Sequence, residues 1–147
     1  MTSPTLTLAA ATALIDHALA TGRAERMKPL AVAVVNAGGQ LIAFKREDQS
    51  SLLRSDIAIG KAWAVLATGL GARELVRRMT ASPHFYNAIA ANSAGKMIPG
   101  IGGVLVRDAQ GEIVGAVGVS GDTADNDERC AVAGIAHAGF RADTGAA

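Results

Sequence analysis

Apolar positions along the chain follow two rhythms, one helical and one alternating. Leu8, Ala11, Ile15, Ala18 and Leu19 recur at helical spacing, which predicts a first helix from Leu8 to Ala20, with Thr7 as N-cap and Gly22 weakening its end. Leu30 to Val35 and Gln40 to Phe44 then flank Asn36-Ala37-Gly38-Gly39, a turn-forming run, and predict a β-hairpin. Ser51 to Thr68 is rich in Leu, Ile and Ala, lacks proline and stops at Gly69 and Gly71, which predicts a second helix. A short helix over 72–79 follows, then one opened by Pro83 and running to Ala91, then a glycine-bearing loop from Ser93 to Gly103.

Val104 to Arg107 and Glu112 to Val119 form a second hairpin about Asp108-Ala109-Gln110-Gly111. The last helix spans Asp125 to Phe140, and the tail after Arg141 is expected to fray. The two turns echo each other, Asn36-Ala37-Gly38-Gly39-Gln40 against Asp108-Ala109-Gln110-Gly111-Glu112, as expected when hairpins draw on a small residue menu. Locally paired strands imply a mostly antiparallel sheet with helices against one face, an α+β domain.

Composition narrows the function classes. A chain of 147 residues, half of them hydrophobic, suits one domain over 1–147. Fourteen basic against 13 acidic residues give a formal charge of +1, so neither nucleic acid nor an anionic membrane is an expected partner. Cys130 is the only cysteine, which excludes an internal disulfide and suits a reducing cytoplasm. Met1-Thr2-Ser3-Pro4 lacks the basic start of a signal peptide, and Lys61, Arg73 and Glu74 break the longest apolar stretch, so a soluble protein is expected.

Candidate chemistry concentrates in a few places. The strand Ile113 to Gly121 runs into Asp122, Asp125, Asp127 and Glu128, where a helix N-terminus would set backbone N–H groups beside carboxylates. Asp125 and Glu128 have the spacing of a capping box, while calcium is disfavoured because Cys130 occupies the sixth loop position, where a glycine is needed. Lys61 is the only charge between Ile57 and Gly71. It is either a sheltered amine able to hold a carboxylate or act as a base, or a snorkelling lysine, and Arg54 lies two turns earlier on nearly the same face. His84 precedes Phe85 and Tyr86 in a chain poor in aromatics. His17 and His137 form no metal pair with it, and no metal site is expected. Met97 is a soft ligand or a gap-filler, and Cys130 a small apolar residue. Gly100-Ile101-Gly102-Gly103 lacks the lysine of a phosphate loop, and Asp122 stands where a nucleophile elbow needs glycine after Ser120.

Taken together, the Val32 to Phe44 hairpin, Ile59-Gly60-Lys61-Ala62-Trp63, Pro99-Gly100-Ile101-Gly102-Gly103-Val104, and Gly115 to Gly121 followed by Asp127-Glu128-Arg129-Cys130-Ala131 resemble the GlcG/HbpS family of haem-binding, haem-degrading proteins, related to the C-terminal domain of PduO-type cobalamin adenosyltransferases. The resemblance covers roughly residues 6–141. It implies a profilin-like fold with a central antiparallel sheet of about five strands, assembly into homo-oligomers, and haem or another tetrapyrrole as ligand, with a role in haem breakdown, sensing or glycolate-associated metabolism. His84, Met97 and His17 enter as iron ligands on donor chemistry alone.

Three readings follow. In the first, an oligomeric binding protein lines a pocket with His84, Phe85, Tyr86, Met97, Gly102 and Gly103, and meets the carboxylates of haem or a similar flat ligand with Lys61 or Arg54. In the second, a cofactor-independent enzyme uses Lys61 to hold a small organic acid, Glu128 or His84 to move a proton, and backbone N–H groups near Gly102 to stabilise an oxyanion. In the third, the chain is an assembly module whose carboxylate junction only caps a helix.

Overall fold

The structure, a computed structural model, describes residues 5–146, so the stretch 1–4 read for a leader lies outside the described residues. The elements are α1 (Leu8–Ala24), β1 (Ala31–Asn36), β2 (Leu41–Arg46), α2 (Arg54–Thr68), α3 (Ala72–Ala81), α4 (Pro83–Asn92), β3 (Gly103–Arg107), β4 (Ile113–Ser120), α5 (Ala124–His137) and β5 (Arg141–Asp143). The five strands form one sheet in the order β2-β1-β4-β3-β5, every neighbouring pair antiparallel. This is the α+β layout expected from the two hairpins.

The helices, however, cover both faces rather than one. Five consecutive residues of β1, Ala31 to Val35, are buried, so the strand has no solvent side and needs a cover on each face. Val32, Val34, Val104, Val106, Val117 and Val119 point to α1 and α5, joining Leu14, Ile15 and Ile135 in the main core. The opposite face carries Val35 and Leu105 against Val65, but is paved with small residues where α2 crosses the sheet centre. Ala33, Gly118 and Gly103 sit side by side across β1, β4 and β3, and α2 lies directly on them. A Cβ at Gly118 would stand 1.9 Å from the Ala58 carbonyl oxygen, and one at Gly103 2.5 Å from that of Lys61. Both glycines therefore act by removing side chain from a helix–sheet contact.

The two hairpin turns are built alike. Asn36 Oδ1 accepts from the N–H groups of Gly38 and Gln40, and Asp108 Oδ1 accepts from those of Gln110 and Glu112. Gly39 and Gly111 take φ of 81° and 83°, which glycine adopts without steric cost, and each turn is followed by a register shift.

Three boundaries differ from expectation. Gly22 does not weaken α1, which continues to Ala24, because the missing side chain admits Leu30, whose Cδ1 would lie 2.6 Å from a Cβ there. α2 starts at Arg54 rather than Ser51. α5 stops at His137, where Gly139 (φ 88°) reverses the chain; Phe140 N–H donates to Ile135 O and Gly139 N–H to Ala136 O, a Schellman closure with buried Phe140 at its end. That reversal aims the tail at the edge of β3. Residues 141–143 accordingly pair there as β5 instead of fraying, and Arg107 Nε donates to Asp143 at 2.9 Å.

Candidate functional site

Lys61 projects from the middle of α2 at the end of the sheet where β4 finishes and β3 begins. Only 8% of the residue is accessible, and its amine donates to Val119 O at 2.9 Å and to Asp127 Oδ2 at 3.3 Å. Of the two readings left open for this residue, the sheltered amine is the one observed. The Lys61 side chain runs beneath Gly100, and its Nζ would lie 2.8 Å from a Cβ at Gly102, so the 100–103 segment closes over it because it is glycine-rich. Burial pulls the amine below its usual range, partly offset by the Asp127 charge, and the same burial raises the Asp127 carboxyl. Arg54, two turns nearer the helix start, lowers Lys61 further and donates to Ser120 Oγ at 3.0 Å.

Asp127 reaches this amine because the β4–α5 turn is tightly tied. Thr123, not Asp125, is the N-cap, its hydroxyl accepting from Asn126 N–H, so the capping box expected between Asp125 and Glu128 does not form. The reason is a two-residue shift in helix start, which leaves Asp125 and Glu128 on the outer side of the first turn. There Arg73 of α3 takes Glu128 through two bonds of 2.9 Å and Asp125 through one of 2.8 Å, which raises the guanidinium pKa. Asp127 turns inward and accepts from Asp122 N–H at 2.9 Å. Asp122 accepts from Lys28 and Thr123 N–H and the Asn126 amide, which holds its pKa at about 2.

The aromatic segment lies farther along α2. Tyr86 and Met97 are buried in a cluster with Ala64 and Leu75, flanked by Trp63 and Ile89. Phe85 meets Tyr86 edge-on, ring centres 5.3 Å apart, but is itself 62% exposed, and neighbouring His84 is exposed. From Met97 the chain retraces α2, Ile98 against Gly60 and Gly100 against Lys61, before entering β3. The structure thus gathers the expected residues into two groups. Lys61, Arg54, Gly102 and Gly103 belong to the strand end, and Phe85, Tyr86 and Met97 to the α4 side, joined by residues 98–101. Glu128 sits with Arg73, and His84 on the outside of α4. His17 stacks on His137 across the α1–α5 seam, ring centres 4.1 Å apart.

Two participants escape the sequence reading. Asp127 stands in the sequence as one of four carboxylates at the strand–helix junction, though its spacing of one turn from Cys130 and Ala131, which face the core, marks an inward position. Trp63 was noted only within a motif, although a lone tryptophan two residues from Lys61 is the flattest surface on that helix. Among the described residues no group of three or more His, Cys, Asp and Glu side chains is placed to hold a metal ion, and no helix is long and apolar enough to cross a membrane.

Residues 6–136 match the HbpS-like family model, described as haem degrading protein HbpS-like. The chain belongs to this family. Among relatives, it is 30% identical over 123 residues, 84% of either chain, to an uncharacterized 15.0 kDa protein in the dhaT-dhaS intergenic region of Citrobacter freundii. Its structure is similar to that of a double mutant of Streptomyces reticuli HbpS, with 28% identity, a TM-score of 0.78, and coverage of 92% of this chain and 88% of that one. It shares its fold with the crystallised PduOC:heme complex at a TM-score of 0.83 and 23% identity, covering 93% of this chain and 97% of that one. The five-stranded antiparallel sheet of this HbpS-like chain is the family fold.

Proposed function

We propose that this HbpS-like chain is a small, cytoplasmic, homo-oligomeric protein that binds haem or a related flat, carboxylate-bearing ligand, in haem breakdown or sensing. The observation that carries this reading is the family match over 6–136, supported by the haem complex of the PduOC relative. The donor chemistry of the chain fits such a ligand. The exposed Phe85 supplies aromatic surface over the buried Tyr86–Met97 cluster, Arg54 supplies a cation beside the buried Lys61, and on this side of the molecule His84 and Met97 are the side chains able to ligate iron. Haem, when bound, would supply a redox-active iron, and the residues of this chain orient the ring and neutralise its carboxylates.

Titration of the purified protein with haemin, followed by Soret absorbance, tests this reading. A saturable change of defined stoichiometry, weakened by His84→Ala or Arg54→Ala, is expected. Unsaturable absorption that ignores both substitutions refutes it. Light scattering should give a mass that is a multiple of the 14.9 kDa chain.

One observation favours a second reading, an enzyme acting on a small organic acid through Lys61 with Glu128 or His84. Lys61 and Asp127 are both pushed towards their neutral forms, the condition in which an amine takes up a proton and a carboxyl gives one. Turnover of a panel of small hydroxy and oxo acids, lost in Lys61→Met and reduced in Glu128→Gln, would support it. A panel with no substrate leaves it without support.

A further inference from the structure

Between the C-terminal half of α2 and the 92–97 segment lies a groove of about 350 Å³. It is walled by Trp63 and Ile89, with Met97 and Ala67 among its apolar lining, a volume at the lower end of those that hold small molecules. No carboxylate lines it. The hydroxyls of Thr68 and Ser93 are already spent on Ala64 O and Ala90 O. By contrast, the Asn92 amide and the Lys96 ammonium make no hydrogen bond with any described residue, while the nitrogen edge of the Trp63 indole lies against Gly39 of the first hairpin turn. The ammonium is a donor only, and it is the one charge in the lining. The Lys96 ammonium rests 5.8 Å from the centre of the Trp63 ring, held there by a turn in which Ala94 and Gly95 take φ of 57° and 81° and Lys96 N–H donates to Ser93 O. An alanine in the left-handed region is sterically disfavoured, and here it keeps the cation at the mouth of the groove.

We infer that this groove binds a planar aromatic carboxylate of about two fused rings, its ring plane against the Trp63 indole and its carboxylate on Lys96, with the Asn92 amide as a further donor. The charge complementarity fixes the sign of the ligand, and the flat indole wall fixes its shape. The groove is separate from the Lys61 strand end and shares Met97 with the residues proposed to meet haem, but a two-ring acid on Trp63 and Lys96 calls on no iron ligand.

The chain contains one tryptophan, so a nitrogen-15 spectrum has a single indole N–H signal and reports this groove without ambiguity. The probe is 2-naphthoate, compared with uncharged 2-naphthalenemethanol and non-planar cyclohexanecarboxylate. A saturable shift of the Trp63 signal with 2-naphthoate is expected, with weaker binding of both comparison compounds. Lys96→Ala, at an exposed position that does not threaten folding, should weaken 2-naphthoate about fivefold, the scale of one partly exposed ion pair, while leaving the alcohol unchanged. No saturable shift, equal binding of acid and alcohol, or an unchanged affinity in Lys96→Ala would overturn the inference.

Discussion

The two faces of the sheet are built on opposite plans. Towards α1 and α5 the strands present valines that interdigitate with Leu14, Ile15 and Ile135, so contact is made by side chains that can adjust. Towards α2 they present Ala33, Gly118 and Gly103, so the helix rests almost on the strand backbone. The difference teaches where the chain has room to change. A side-chain interface loses stability gradually as methyl groups are removed, whereas a backbone interface fails when an atom is added. The candidate site belongs to the second kind: Lys61 reaches the strand end because α2 lies so close to the sheet, and the glycines at 100 and 102 leave space for its side chain.

The largest effect should come from adding atoms to the tight face. Gly118→Val drives side-chain carbons into the Ala58 carbonyl and should cost more than about 4 kcal/mol in chemical denaturation, enough to leave little folded protein. Next comes the buried ion pair beside it. Asp127→Ala strands the Lys61 ammonium and should cost about 3–5 kcal/mol, while the paired change Lys61→Met with Asp127→Leu should recover most of that loss. If the double variant is no better than the single one, the pair is not coupled as described.

On the side-chain face, Val117→Ala removes two methyl groups from the core and should cost only about 2–3 kcal/mol, with the fold retained. A loss equal to that of Gly118→Val would erase the contrast between the faces. The smallest effect concerns acid. Asp122 is held at about 2 against an ordinary 3.8, so its contribution is complete above about pH 5 and is lost as pH falls from 3.8 through 2. Asp122→Asn should therefore remove roughly 1 kcal/mol at neutral pH, after allowance for solvent screening, and progressively less as pH falls towards and below 2.

Much of this architecture can be read from residue patterns. The hairpins, their shared turns and the five helices follow from periodicity and glycine placement, because these are local properties. The two-sided covering of the sheet is also written in β1, whose unbroken apolar run leaves no solvent side, but locally paired hairpins are equally compatible with a sheet covered on one face. β5 was illegible because three residues, Arg141, Ala142 and Asp143, carry no strand rhythm, and only the Gly139 reversal brings them to β3. At the candidate site, the isolation of Lys61 among apolar neighbours marked it as sheltered or snorkelling. Its partner could not be chosen among Asp122, Asp125, Asp127 and Glu128, since a two-residue shift of the helix start exchanges which acids face inward.

The reading that haem binds on the α2 side is tested most directly by nitrogen-15 NMR of the protein titrated with ferric haemin, whose unpaired electrons broaden nearby signals. The account predicts saturable broadening confined to α2 and residues 83–103, with the α1–α5 seam around His17 and His137 unaffected. Broadening centred on that seam, or broadening that grows without saturation across the whole chain, would contradict it.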